Sequence, residues 1–204
     1  MPDNESFVLM DPAKQNIGLY FGSFNPIHNG HIAIANYLLG TAKMDEVWFV
    51  VSPQSPFKQE NSLLDDNYRL EMVLLAIKNN KRLRACDIEF TMPKPSYTIN
   101  TLKALHKKYP SKNFALIMGA DNLETFHKWK NFEEIINHHY IYVYPRSHSD
   151  KGNVHAHPSV IMIDAPLLDI SSTSIREYVR SGKDVGPFLP EKVLEYINKM
   201  GFYK

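Results

Sequence analysis

The sequence predicts one α/β domain built on a doubly wound, mostly parallel sheet with a helical C-terminal portion. Short apolar bursts rich in β-branched and aromatic residues recur along the chain, and longer amphipathic stretches separate them. Strands joined through helices of about ten residues or more pair in parallel with right-handed crossovers, which places helices on both faces of the sheet.

Strands are expected at 17–21, 47–51, 83–86, 114–118, 140–144 and 160–163, and helices at 30–39, 65–79, 98–109, 123–137, 172–181 and 191–200. In the second helix, Leu70, Val73, Leu74 and Ile77 recur at helical spacing and form the expected inner face, with Arg69, Glu71 and Lys78 toward the other side. The stretch 145–158, with Arg146, Ser147, Ser149, Gly152 and three histidines, reads as a polar surface excursion rather than a linker. Residues 1–204 are therefore expected to form one domain, with 1–15 a loosely ordered N-terminal extension.

The 204 residues carry 23 Lys+Arg against 22 Asp+Glu, a net charge of +1, and are 44% hydrophobic. That balance supplies no broad basic field for a nucleic-acid polymer, although a local pocket for a small phosphate remains compatible with it. The single cysteine, Cys86, excludes an internal disulfide framework and paired-cysteine zinc sites, and it suits a reducing cytoplasm. The longest apolar run, 72–77, is six residues, so no membrane span is expected. Whether the chain forms a homo-oligomer is left open.

Ligands of doubly wound sheets bind outside the carboxyl ends of the strands, which directs attention to the loops after Phe21, Val51, Met118 and Ile163. The first strand runs into Gly22-Ser23-Phe24-Asn25-Pro26-Ile27-His28-Asn29-Gly30-His31 and then an apolar helix. This is the layout of a phosphate site: Gly22 permits close backbone approach, Gly30 keeps the turn small, and the first helical amides face an anion. Neither the Walker spacing nor the dinucleotide glycine spacing is present. His28 and His31, three positions apart, share one side of the turn, but no third ligand accompanies them as zinc would require. His106, His138, His139, His148, His155 and His157 read as packing or surface residues. Downstream, Ser171 or Ser172 is a good N-cap, and the amides of Thr173 and Ser174 are expected to face phosphate with the helix dipole behind them.

The loop Gly22 to His31 resembles the GxFxPxHxGH motif of the HxGH nucleotidyltransferases, and Ile170-Ser171-Ser172-Thr173-Ser174-Ile175-Arg176 resembles their ISSTxIR motif. Within that superfamily the chain is most similar to the bacterial nicotinate-nucleotide adenylyltransferases, through Ser96-Tyr97-Thr98-Ile99-Asn100-Thr101-Leu102, Met118-Gly119-Ala120-Asp121-Asn122 and Trp129-Lys130. The resemblance covers about residues 16 to 203. It implies a Rossmann-like nucleotidyltransferase fold and transfer of AMP from ATP to nicotinate mononucleotide, releasing pyrophosphate, in NAD biosynthesis. It assigns catalysis to His28, His31, Arg176 and Lys58, and ATP binding to Gly22, Ser23, Phe24, Gly30, Gly119, Asp121, Ser171, Ser172, Thr173 and Ser174. Asn25, Tyr97, Thr98, Trp129 and Lys130 fall to the mononucleotide. Mg²⁺ is expected to arrive on the ATP phosphates rather than in a protein metal site.

The chemistry suits these residue types. An attacking phosphate is already ionised at neutral pH, so neither an activated nucleophile nor a strong base is needed. Two histidines can donate to the α-phosphate and bridging oxygens as charge moves toward pyrophosphate. Amides near Thr98 and Trp129-Lys130 would suit a carboxylate, which only accepts hydrogen bonds, over a carboxamide, which also donates. Phe57 departs from the family pattern, since many relatives carry histidine before the basic residue that is here Lys58. Nicotinamide mononucleotide or pantetheine phosphate as acceptor, or a non-catalytic nucleotide sensor, are the alternative readings.

Overall fold

The computed structural model describes residues 10–53, 63–146, 156–165 and 170–204. Strands β1 (Gln15–Gly22), β2 (Glu46–Val51), β3 (Leu83–Cys86), β4 (Lys112–Gly119), β5 (Ile141–Tyr144) and β6 (Val160–Met162) form one sheet in the order β3-β2-β1-β4-β5-β6. Every pairing is parallel. The helices are α1 (Asn29–Thr41), α2 (Asp66–Ile77), α3 (Thr98–Lys108), α4 (Ala120–Glu124), α5 (Phe132–His138), α6 (Ser172–Arg180) and α7 (Glu191–Met200).

Both faces of the central strands are covered, which is why they read as unbroken apolar runs. Ile17 and Leu19 of β1, with Phe114 and Leu116 of β4, pack under Leu102 and Leu105 of α3 and Ile135 of α5. Tyr20 of β1, with Ala115 and Ile117 of β4, faces Leu38 of α1, Met72 of α2, Ile175 of α6 and Val193 of α7. Strand order reverses between β1 and β4, so the crevice of the fold opens at their carboxyl ends. Among the described residues no helix is long and apolar enough to cross a membrane.

The structure corrects three expectations. The helix expected at 123–137 is broken: α4 ends at Glu124, a 3-10 turn occupies Phe126–Lys128, Trp129 is extended, and Asn131 is left-handed at φ 53°. Buried Phe126 anchors the turn, asparagine tolerates the left-handed state, and Glu133 and Glu134 then favour a new helix start. The second correction concerns two positions of α2: Val73 and Ile77 are buried and Glu71 and Lys78 exposed as expected, but Arg69 is 0% exposed and Leu74 is 46% exposed. Arg69 is inside because carbonyl groups await it there. The N-terminal extension also orders earlier than expected within the described residues: Asn113 Nδ2 donates to the Asp11 carbonyl at 2.7 Å, and β1 already begins at Gln15.

Candidate active site

Between β1 and α1 the chain runs through a buried loop, and a buried loop must find partners for its backbone. Side chains from two helices supply them. Arg69 of α2 donates to the Ser23 carbonyl at 2.6 Å, Arg176 of α6 to the Asn25 carbonyl at 2.9 Å, and Ser172 of α6 to the Pro26 carbonyl at 2.8 Å. Arg69 also donates to the carbonyls of Ser52 and Leu64, both at 2.9 Å, and pairs with Asp66, so it ties the ends of β1 and β2 to the start of α2. A fully buried guanidinium is tolerated only with such saturation.

The loop delivers His28 as the N-cap of α1 and His31 one turn on, with ring centroids 3.7 Å apart. Burial, assisted by the charge of Arg146, lowers the His28 imidazole to about 3, so the ring is neutral at physiological pH. Nδ1 of His31 accepts the His28 amide at 3.2 Å, which leaves the ring proton on Nε2. Neutrality fits the stacking: at 3.7 Å, two protonated rings would repel by about 4 kcal/mol at an effective dielectric near 20. Each ring therefore offers one N–H. Phe24 and Tyr20 brace His31 edge-on, with centroids at 5.1 and 5.7 Å. Gly30 leaves no room for a side chain, because a Cβ there would lie 2.9 Å from Nδ1 of His28 and 3.1 Å from Ile170.

Beside this clamp the crevice opens into a cavity bounded by Gly22, Ser23, Tyr97, Thr98, Trp129 and Lys130. Thr98 is the first residue of α3, so its amide has no acceptor within the helix. Half-buried Trp129 rests on Phe126 at 5.2 Å, and the Lys130 ammonium lies 4.7 Å from the Tyr97 ring centre. The break after α4 is what presents Trp129 and Lys130 here. Glu89, 1% exposed, also reaches the cavity wall, where Thr101 donates to it at 2.6 Å and burial pushes its carboxyl above the usual range.

At α6, Ser171 is the N-cap: its Oγ accepts the Ser174 amide at 3.0 Å, and Ser174 Oγ in turn accepts the Ser171 amide at 3.1 Å. The Ser174 amide, expected to face phosphate, is thus used inside the cap, and the amides without a helical acceptor are those of Ser172 and Thr173. At the end of β4, a Cβ on Gly119 would lie 2.3 Å from Oδ1 of Asp121, so only glycine admits that carboxylate's position. Asp121 is exposed and lies 3.8 Å from Nε of Arg146.

The geometry redistributes the expected roles. His28 and His31 stand together, and Gly22, Ser23, Tyr97, Thr98, Trp129 and Lys130 line one cavity. Asn25, expected to touch substrate, is fully buried and bonded within the protein; Ser172 and Arg176, expected at phosphates, spend hydrogen bonds on the loop carbonyls. The physical reason is shared: the loop's inward carbonyls have no strand or helix to satisfy them. Lys58 and Phe57 lie outside the described residues. Arg69, Glu89 and Arg146 went unrecognised in the sequence. For Arg146 a signal existed, an arginine just after a strand at the crevice edge.

A parallel doubly wound sheet that presents a histidine-bearing loop and a second helix start at its carboxyl edge defines a nucleotidyltransferase-like α/β protein. The cytidylyltransferase-like family model matches residues 19–178, and the chain belongs to that family. A protein of Flavobacterium johnsoniae named "Probable nicotinate-nucleotide adenylyltransferase" is 51% identical over 92% of this chain and 98% of its own length. One of Bacteroides fragilis with the same name is 45% identical over 91% of this chain and 92% of its own. The solved Plasmodium falciparum nicotinic acid mononucleotide adenylyltransferase complexed with NaAD shares the fold, with a TM-score of 0.77 over 93% of this chain and 97% of that one at 21% identity.

Proposed function

We propose that the chain is an enzyme, a nicotinate-nucleotide adenylyltransferase, which joins AMP from ATP to nicotinate mononucleotide and releases pyrophosphate in NAD biosynthesis. The observation that carries the reading is the placement of the neutral histidine pair beside a cavity whose wall holds Thr98, Trp129 and Lys130. Relatives covering nearly the whole chain bear that name.

An oxygen of the mononucleotide phosphate attacks the α-phosphorus of ATP. As that P–O bond forms, the bond to the α–β bridging oxygen breaks, and pyrophosphate leaves with the electron pair; no proton has to move. Catalysis then rests on positioning and on donors aimed where charge grows. Neutral His28 and His31 supply one N–H each, aimed at the α-phosphate and bridging oxygens, and being uncharged they do not bind the ground state merely by charge. The Ser172 and Thr173 amides and the dipole of α6 receive the β- and γ-phosphates. Among the described residues no three acidic, histidine or cysteine side chains converge as a metal site. Mg²⁺ enters with ATP as part of the substrate. The working partners are ATP and nicotinate mononucleotide, in a cytoplasmic setting.

The pyridine acid lies in the cavity against Trp129, with the Thr98 amide and the Lys130 ammonium as donors. Turning a carboxamide NH₂ toward such donors leaves buried groups unpaired, at about 1 to 3 kcal/mol each. Pyrophosphate release is measured with saturating MgATP and each mononucleotide. A kcat/KM for the nicotinate form at least about tenfold above the nicotinamide form is expected; equal values, or preference for the amide, would overturn the acceptor assignment.

A further inference from the structure

Beyond α7 the chain turns back through Gly201, at φ 68°, and Phe202 packs between Tyr68 and Tyr196. Tyr203 follows with its own backbone left-handed at φ 64°, a state that bulky residues seldom adopt. Its side chain is buried at 9% exposure in the core beside α1 and α7, and its hydroxyl donates to Oδ1 of Asn25 at 2.8 Å. Phenylalanine would fill that space without bringing a hydroxyl out of water. Strained backbone and a buried phenol persist where the contact they serve is over-determined by its surroundings.

The partner of that hydroxyl sits in the middle of the histidine loop. Asn25 Oδ1 also accepts the Leu64 amide, at a longer 3.4 Å, and the Asn25 carbonyl accepts Arg176 at 2.9 Å. Two residues before Asn25, Arg69 holds Ser23; one after it, Ser172 holds Pro26. The Tyr203 contact therefore fastens the Asn25 side chain, while the neighbouring anchors fasten the backbone. Burial raises the phenol well above its ordinary value, so the hydroxyl keeps its proton and remains a donor throughout the physiological range.

We infer that Tyr203 is a positioning residue for adenylyl transfer: acting through Asn25, 178 positions away in sequence, it fixes the loop that aims His28 and His31. The inference rests on the activity proposed above and concerns kcat, because the part of the loop that follows Asn25 presents His28 and His31, which act as charge develops.

Tyr203→Phe removes one oxygen and keeps the ring. Pyrophosphate release by Tyr203→Phe should fall about tenfold in kcat, with KM for ATP and nicotinate mononucleotide within about twofold of wild type. In an Asn25→Ala background the same change should cost nothing further, because the path runs through Asn25. Amide hydrogen exchange supplies a readout independent of turnover: residues 23–31 should exchange faster in Tyr203→Phe, with α3 unchanged. An unaltered kcat, a change in KM alone, or an equal loss in the Asn25→Ala background would overturn the inference, as would unaltered exchange at 23–31. A lower melting temperature with wild-type kcat would reduce Tyr203 to a stability residue and overturn it too. Wild-type protein that releases no pyrophosphate would overturn the proposed activity, and hydrogen exchange would still decide the contact.

Discussion

Lowering the pH should weaken this fold well before its ordinary carboxylates protonate, and two histidines set the size of the effect. His139, 6% exposed, has Nδ1 3.0 Å from the Phe114 carbonyl, and burial lowers it to about 4; His28 is lowered to about 3 for the same chief reason. In the unfolded chain both return to about 6.5. A folded value below the unfolded one means that the unfolded state binds protons first, so stability is present above pH 6.5 and drains as pH falls toward the folded values. Each group contributes about 1.4 kcal/mol per pH unit in that window, so the pair removes about 5 kcal/mol between pH 6.5 and 4.5, a large share of a typical 5–15 kcal/mol. Glu89 acts in the opposite sense, because its raised carboxyl takes up its proton in the folded state first and offsets part of the loss. Urea unfolding followed by circular dichroism at pH 7.5, 6.0, 5.0 and 4.5 reads the slope directly. His139→Gln should make that slope about half as steep, and Glu89→Gln should make it steeper. Stability that stays level or rises from pH 6.5 to 4.5 would refute the assignment of two buried neutral imidazoles.

Two further outcomes follow from the clamp. His31→Ala should keep the fold and lower kcat by about 10² to 10³, the usual effect of losing one preorganised donor; steady-state turnover within threefold of wild type would remove it from the transition state. Arg176→Ala should lower the melting temperature as well as kcat, since it strands the buried Asn25 carbonyl. Calorimetry beside kinetics separates that from a pure phosphate ligand, whose loss would raise the ATP KM at unchanged melting temperature.

The sheet was legible because burial on both faces writes each strand as a continuous apolar run, and β1 through β4 fall where those runs stand. The histidine loop and the α6 cap were legible for a related reason: glycine, N-cap serine and paired histidines act over three or four positions, within reach of sequence spacing. What escaped reading was long-range. Arg69 looked like a solvent-facing charge until the carbonyls of Ser23, Ser52 and Leu64 were seen around it. Asn25 and Ser172 looked like ligands because they lie in motifs, yet their partners, Tyr203 and the Pro26 carbonyl, are 178 and 146 positions distant. The break between α4 and α5 hid in an apolar pattern that suits one helix, and it is made by a 3-10 turn, an extended Trp129 and a left-handed Asn131.

The central claim is that the neutral histidine pair and the adjoining cavity catalyse adenylyl transfer rather than merely hold nucleotide. Wild-type protein incubated with MgATP and nicotinate mononucleotide should form nicotinate adenine dinucleotide and pyrophosphate in equal amounts, quantified by chromatography and mass spectrometry, with the His31→Ala protein as the matched control. Retention of both nucleotides without either product would contradict the account.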